Sequence, residues 1–98
     1  MNSELKSKLE EVVKLVSSAM VDPDIDLEFC IPEVATTAES CDVSGDPYIL
    51  VKYLEDKYIT RKIKLTEKYL DNTPKEIANL VTFSIEQFKA EIDSVHMS

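Results

Sequence analysis

Apolar and polar positions along this chain follow two periods, and the switches between them mark out its elements. Leu5, Leu9, Val12, Val13, Val16 and Met20 recur at three- and four-residue steps, which predicts a helix over residues 3–20 with one apolar face. Ser3 is placed to cap it, and Pro23 ends it by disfavouring helical geometry at Asp22. Residues 24–31 then alternate, with Ile25, Leu27, Phe29 and Ile31 pointing one way and Asp24, Asp26, Glu28 and Cys30 the other. That is the pattern of a half-buried strand. Residues 33–47 are ambiguous: EVATTAESCDV has room for a short strand, and SGDP reads as a turn. YILVKYL, residues 48–54, is β-branched and aromatic and predicts a strand, after which EDK can turn the chain. Residues 58–69 alternate again, with Ile59, Ile63 and Leu65 on one face and Lys62, Lys64, Thr66 and Lys68 on the other. Arg61 falls among the apolar set, so a helix over 50–70 stays open as an alternative. The last helix starts at a capping box, TPKE, with Thr73 as cap, Pro74 at the first helical position and Glu76 reaching back. Ile77, Val81, Ile85, Phe88, Ile92 and Val95 continue it as an apolar stripe over residues 74–95.

Helix, three or four hairpin-linked strands and helix make an α+β domain. The N- and C-terminal amphipathic helices are expected to pack on one face of an antiparallel sheet, leaving the other face to solvent or a partner. At 98 residues, with 44% apolar and 31% charged residues, the chain is expected to form a single folded, soluble domain over residues 1–98. No apolar run approaches the ~20 residues needed to cross a bilayer, and MNSELKSKLEE does not read as a signal peptide. The expected location is therefore cytoplasmic, with no membrane partner. Cys30 and Cys41 can pair, yet in such a setting two cysteines are expected as reduced thiols.

Charge is distributed unevenly. Residues 1–20 are net zero, whereas residues 21–56 hold ten acids against one base, Lys52, for a net −9. Residues 57–69 are net +4 and residues 70–98 net −3, giving −8 in all. The acids of the middle are Asp22, Asp24, Asp26, Glu28, Glu33, Glu39, Asp42, Asp46, Glu55 and Asp56.

Four of these, Asp22, Asp24, Asp26 and Glu33, match positions one, three, five and twelve of an EF-hand calcium loop. Against that, Leu27 stands where the loop's sharp turn favours Gly, Pro32 impedes an exiting helix, and the apolar alternation runs straight through. The strand is the stronger reading, and no metal or cofactor is expected. Gly45 is the only glycine, which excludes phosphate-binding glycine loops. His96 is the only histidine, and Cys30, Cys41 and His96 lack zinc-motif spacing. No catalytic residues are assigned, and the chain is not expected to be an enzyme. Lys62, Lys64 and Lys68 could meet nucleic acid, but the surrounding negative field opposes direct binding. Pairing with acidic neighbours and protection of a sheet edge account for them better.

The acidic middle carries the functional expectation. On a strand, Asp24, Asp26 and Glu28 stand ~6.6–6.8 Å apart, close to every second phosphate of a DNA strand that advances ~3.4 Å per phosphate. In size, acidity and the run DPDIDLE followed by Glu33, Glu39, Asp42 and Asp46, the chain resembles the small acidic inhibitors of bacteriophages and mobile elements that act as DNA mimics. The resemblance is one of profile over residues 22–56, without a shared motif. It implies a non-catalytic module that occupies the nucleic-acid-binding surface of a basic partner protein, with all ten acids as candidate contacts. A two-fold homodimer is expected from the uncovered sheet face and edges. The alternative is a small acidic dimeric chaperone or adaptor that holds a client segment, resembling type III secretion chaperones though shorter than they are.

Overall fold

The computed structural model describes residues 3–19, 23–38, 41 and 45–96, and of residues 56–58, 95 and 96 the backbone alone. Its element order is α1 (Ser3–Ala19), β1 (Ile25–Ile31), β2 (Ala35–Thr36), β3 (Tyr48–Tyr53), β4 (Asp56–Lys64), α2 (Glu67–Leu70) and α3 (Pro74–His96). The strands form one antiparallel sheet in the order β2-β1-β3-β4. The odd-numbered residues of β1, together with Ile49, Val51 and Ile63, face one way. They form a core with Leu9, Val12 and Val16 of α1 and Ile77, Val81, Ile85, Phe88 and Ile92 of α3. α1 packs along α3, and α3 also reaches β4. Each fully buried aliphatic side chain in this layer contributes about 1.5–3 kcal/mol.

Both helices and the α+β arrangement follow the expected pattern. Residues 50–70 do not form one helix: the range is strand to Lys64, with a turn between β3 and β4, and only Glu67–Leu70 is helical. Arg61, the odd member of the apolar set, lies on the helix side of edge strand β4, opposite Val51. There its guanidinium sits 5.5 Å from the centre of the Phe88 ring and pairs with Glu91. The position is apolar in orientation and polar at its rim, which a long side chain satisfies with stem and head separately.

Three expectations are corrected. The alternating run of 58–69 is a strand only to Lys64. Leu65 makes the last ladder bond, to the Pro47 carbonyl at 2.8 Å, and the chain then turns so that the Tyr69 and Leu70 N–H groups bond back to Thr66 at 2.9 and 3.0 Å. Asn72 closes this short α2 by donating to the Lys68 and Tyr69 carbonyls at 2.9 and 3.2 Å. Ser3 is the first helical residue of α1, so the cap position falls outside the described residues. The cysteines are not thiols: Cys30 and Cys41 form a disulfide with Cα atoms 5.2 Å apart.

The strand order explains the disulfide. β2 and β3 lie on opposite sides of β1, so the chain between Thr36 and Tyr48 must cross β1. On the face away from the helices Cys41 reaches Cys30, and Ala38 and Tyr48 complete a second, smaller apolar cluster. The sequence-level reading had no register from which to see this crossing. The capping box forms with a changed partner: the Glu76 N–H donates to Thr73 Oγ1 at 3.2 Å, and the Thr73 hydroxyl donates to Glu76 Oε1 at 3.0 Å.

Two stability outcomes follow. Phe88→Ala is expected to cost about 3–5 kcal/mol, because the ring is buried in the helix layer and carries Arg61 over it. Urea unfolding measures it, and a cost below 1 kcal/mol would mean that α3 does not pack as described. Cys41→Ser opens a short loop and is expected to cost about 2–4 kcal/mol. The same loss should appear when the parent protein is unfolded in reductant and be absent when the variant is.

Candidate functional site

The face away from the helices is built from the even-numbered positions of three strands. Register places Asp26 beside Lys52 and Thr60, Glu28 beside Leu50 and Lys62, and Cys30 beside Tyr48 and Lys64. β1 therefore brings acids to this face and β4 brings lysines, with β3 between them. The two sides are joined diagonally. Lys52 Nζ lies 2.6 Å from Glu28 Oε1, and Lys62 Nζ lies 4.5 Å from the centre of the Tyr48 ring. Each lysine leans one row toward the crossing loop. Cross-strand pairs of this kind each add roughly 0.2–1 kcal/mol, and the lysine over an aromatic ring about 0.5–1 kcal/mol.

These contacts redistribute the expected row of carboxylates. Glu28 is only 9% exposed, and its charge is balanced by Lys52. It does not stand out as a phosphate substitute. Asp26 is exposed on the same face, and Asp24 is exposed in the turn before β1, where its carbonyl accepts the Leu54 N–H at 2.9 Å. Glu33 is exposed at φ 67°, a left-handed conformation that reverses the chain between β1 and β2. Asp46 is exposed and lines a shallow depression with Gly45, Tyr48, Lys62 and Lys64, on the basic side. Glu55 is exposed in the β3–β4 turn and accepts the Tyr53 hydroxyl hydrogen bond at 2.6 Å. Asp56 begins β4 but its side chain is outside the described residues, as are Asp22, Glu39 and Asp42 altogether.

The structure gathers acids at one corner, where β1 begins and β3 ends. The Tyr53 phenol is pushed up to about 12, chiefly because Glu55 accepts its hydrogen bond, then by desolvation, and then by the negative charges of Glu55, Asp24 and Asp93. Asp24, Tyr53, Lys89 and Asp93 line a small recess there. Lys62 and Lys64 lie at the diagonally opposite corner, where β3 begins and β4 ends. The molecule thus has an acidic and a basic end across one sheet.

Sequence reasoning missed Asp93, Tyr53 and Lys52 as members of this arrangement. Lys52 carried a signal, since it is the single base among the ten acids of residues 21–56. Asp93 sits far away in sequence, and only the packing of α3 brings it to the corner. The supposed calcium loop runs through β1, and no three metal-binding side chains gather among the described residues. No helix among them is long and apolar enough to cross a membrane. No family model, no curated protein and no solved structure matches the chain.

The Glu28–Lys52 pair is testable. Lys52→Met leaves a largely buried carboxylate without its cation and is expected to cost about 1–3 kcal/mol at neutral pH, below the range for fully buried pairs because Lys52 is partly exposed. Adding Glu28→Gln to the same chain should recover most of that loss. Urea unfolding of the single and double variants decides, and equal stabilities of parent and Lys52→Met would show the pair to be neutral.

Proposed function

We propose that this chain is a non-catalytic acidic binding module that occupies the nucleic-acid-binding surface of a basic partner protein. The observation that carries the reading is the acidic corner that Asp24, Glu55 and Asp93 form around Tyr53 at the ends of β1, β3 and α3, with Asp26 exposed next to it on the other face of β1. Its carboxylates sit on α3 and on tight turns at the ends of sheet strands, backed by a packed helix layer, so they meet the partner's Lys and Arg groups with little further ordering. Lys62 and Lys64, which would repel such a partner, lie at the far corner, and the net charge of −8 draws a basic protein in. Carboxylates then stand where phosphates would stand, and binding is competitive with DNA. In the expected cytoplasmic setting a disulfide is exposed to reductants, so the binding test is run with the Cys30–Cys41 bond intact and reduced.

A partner captured by pull-down is loaded with labelled duplex, and this protein is titrated in. The triple change Asp24→Asn, Asp26→Asn, Glu55→Gln removes three charges without touching the Glu28–Lys52 pair. At about 0.5–1 kcal/mol for each exposed contact, displacement should weaken roughly ten-fold or more. Lys62→Gln with Lys64→Gln should leave it unchanged or strengthen it. A ternary complex of partner, duplex and this protein, or full activity of the triple variant, would refute the reading.

Leu80 and Phe83 favour a second reading, a dimeric adaptor that holds a client segment. They lie one turn apart on the outer flank of α3, at 43% and 57% exposure. Apolar capture there would be insensitive to salt, whereas capture by the acidic corner weakens as salt rises.

A further inference from the structure

The two edges of the sheet differ. Along the outer side of β1, β2 pairs only with Cys30 and Ile31. Phe29 is closed by the chain beyond β2: its N–H donates to Thr37 Oγ1 at 2.9 Å, and its carbonyl accepts the Thr37 and Ala38 N–H groups at 2.8 and 3.0 Å. Backbone groups alternate in direction along a strand, so Leu27 and Ile25 point outward as Phe29 does. No strand pairs with them there among the described residues. Above this edge lies a groove of about 220 Å³ lined by Ser17 of α1 and Ile25, Asp26, Leu27 and Phe29 of β1. On the other side of the sheet plane Asp26 is exposed.

We propose that the outer edge of β1 from Ile25 to Leu27 captures an extended segment of a basic partner as an added strand, with aliphatic residues in the α1 groove and Lys or Arg beside Asp26. The proposal rests on the reading that the acidic end of this protein meets a basic partner, and it names the form that the partner takes there. Residues directly opposite in a sheet share a face. An added residue opposite Leu27 therefore meets the groove, and its neighbours in the added strand meet the acidic face. An alternating aliphatic–basic segment satisfies both sides, and the Leu27 N–H and carbonyl supply the main-chain bonds. A chain with acids at its alternate positions would set them against Asp26 and be rejected.

The test uses a capped peptide, Val-Lys-Val-Arg-Val-Lys, and the same peptide N-methylated on its valines, which keeps the charge and removes the donors that face β1. The unmethylated peptide should bind and slow amide exchange at Ile25 and Leu27. N-methylation should weaken it roughly ten-fold or more, and Asp26→Asn should weaken it and flatten its salt dependence. Leu27→Pro should act like N-methylation, since the Leu27 N–H lies outside the β1–β3 ladder; if that variant does not fold, the methylated peptide alone decides. Equal binding of both peptides would show charge attraction without strand addition and overturn the proposal, leaving the acidic-module reading in place. Failure of the peptide while the intact partner still loses its duplex would do the same. Failure of peptide and partner together would sink both. Sedimentation as open-ended oligomers that the peptide disperses would assign the edge to β4 of a second copy, whose Lys62–Ile63–Lys64 run has the same alternation, and would also overturn the proposal.

Discussion

Two helices packed on one face of a four-stranded sheet set the terms for everything else in this molecule. The apolar half of β1 is buried against α1 and α3, so the other half has to be satisfied without a second helix layer. The protein does this in two ways. Near Cys30 it lays its own chain across the strand and bonds Cys41 to it. Further along it uses side chains, with Lys52 on Glu28 and Lys62 on Tyr48. Among the described residues, the start of β1 lacks such cover, and this is where the exposed carboxylate Asp26 and the strand edge beyond β2 coincide.

That coincidence turns an acidic composition into a directed surface. Spread evenly, a charge of −8 on a small domain serves mainly to keep copies apart. Here the strand order separates acids from lysines, because β1 and β4 sit on either side of β3. The antiparallel register then places Asp24, Asp26 and Glu55 toward one end and Lys62 and Lys64 toward the other, where Asp46 joins them. The separation follows from topology acting on a sequence whose acidic and basic segments are already distinct.

Much of the fold was legible because its periods are clean. The alternation of Ile25, Leu27, Phe29 and Ile31, the stripe of α1 and α3, and the Thr73–Glu76 box each specify a local structure that tertiary packing keeps. β2 has two residues, too few to show a period. Arg61 looked out of place because its partners, Phe88 and Glu91, belong to an element about thirty residues away. The acidic row was legible as a face but not as a site. Whether Glu28 stands free depends on Lys52, and that pairing is a fact of register between two strands. The corner around Tyr53 needed α3 to supply Asp93, which no local pattern announces.

The crossing of β1 has a mechanical consequence. A linear polypeptide can be drawn through a narrow channel as a single thread. With Cys30 and Cys41 joined, the stretch between them is a ring, and it must pass doubled back on itself. Eleven residue steps separate the two cysteines, and at ~3.3–3.6 Å each they hold back roughly 36–40 Å of chain that no pull on the ends can release. Any machine that unfolds and threads this protein meets a knot-like obstacle near the end of an inner strand until the bond is reduced.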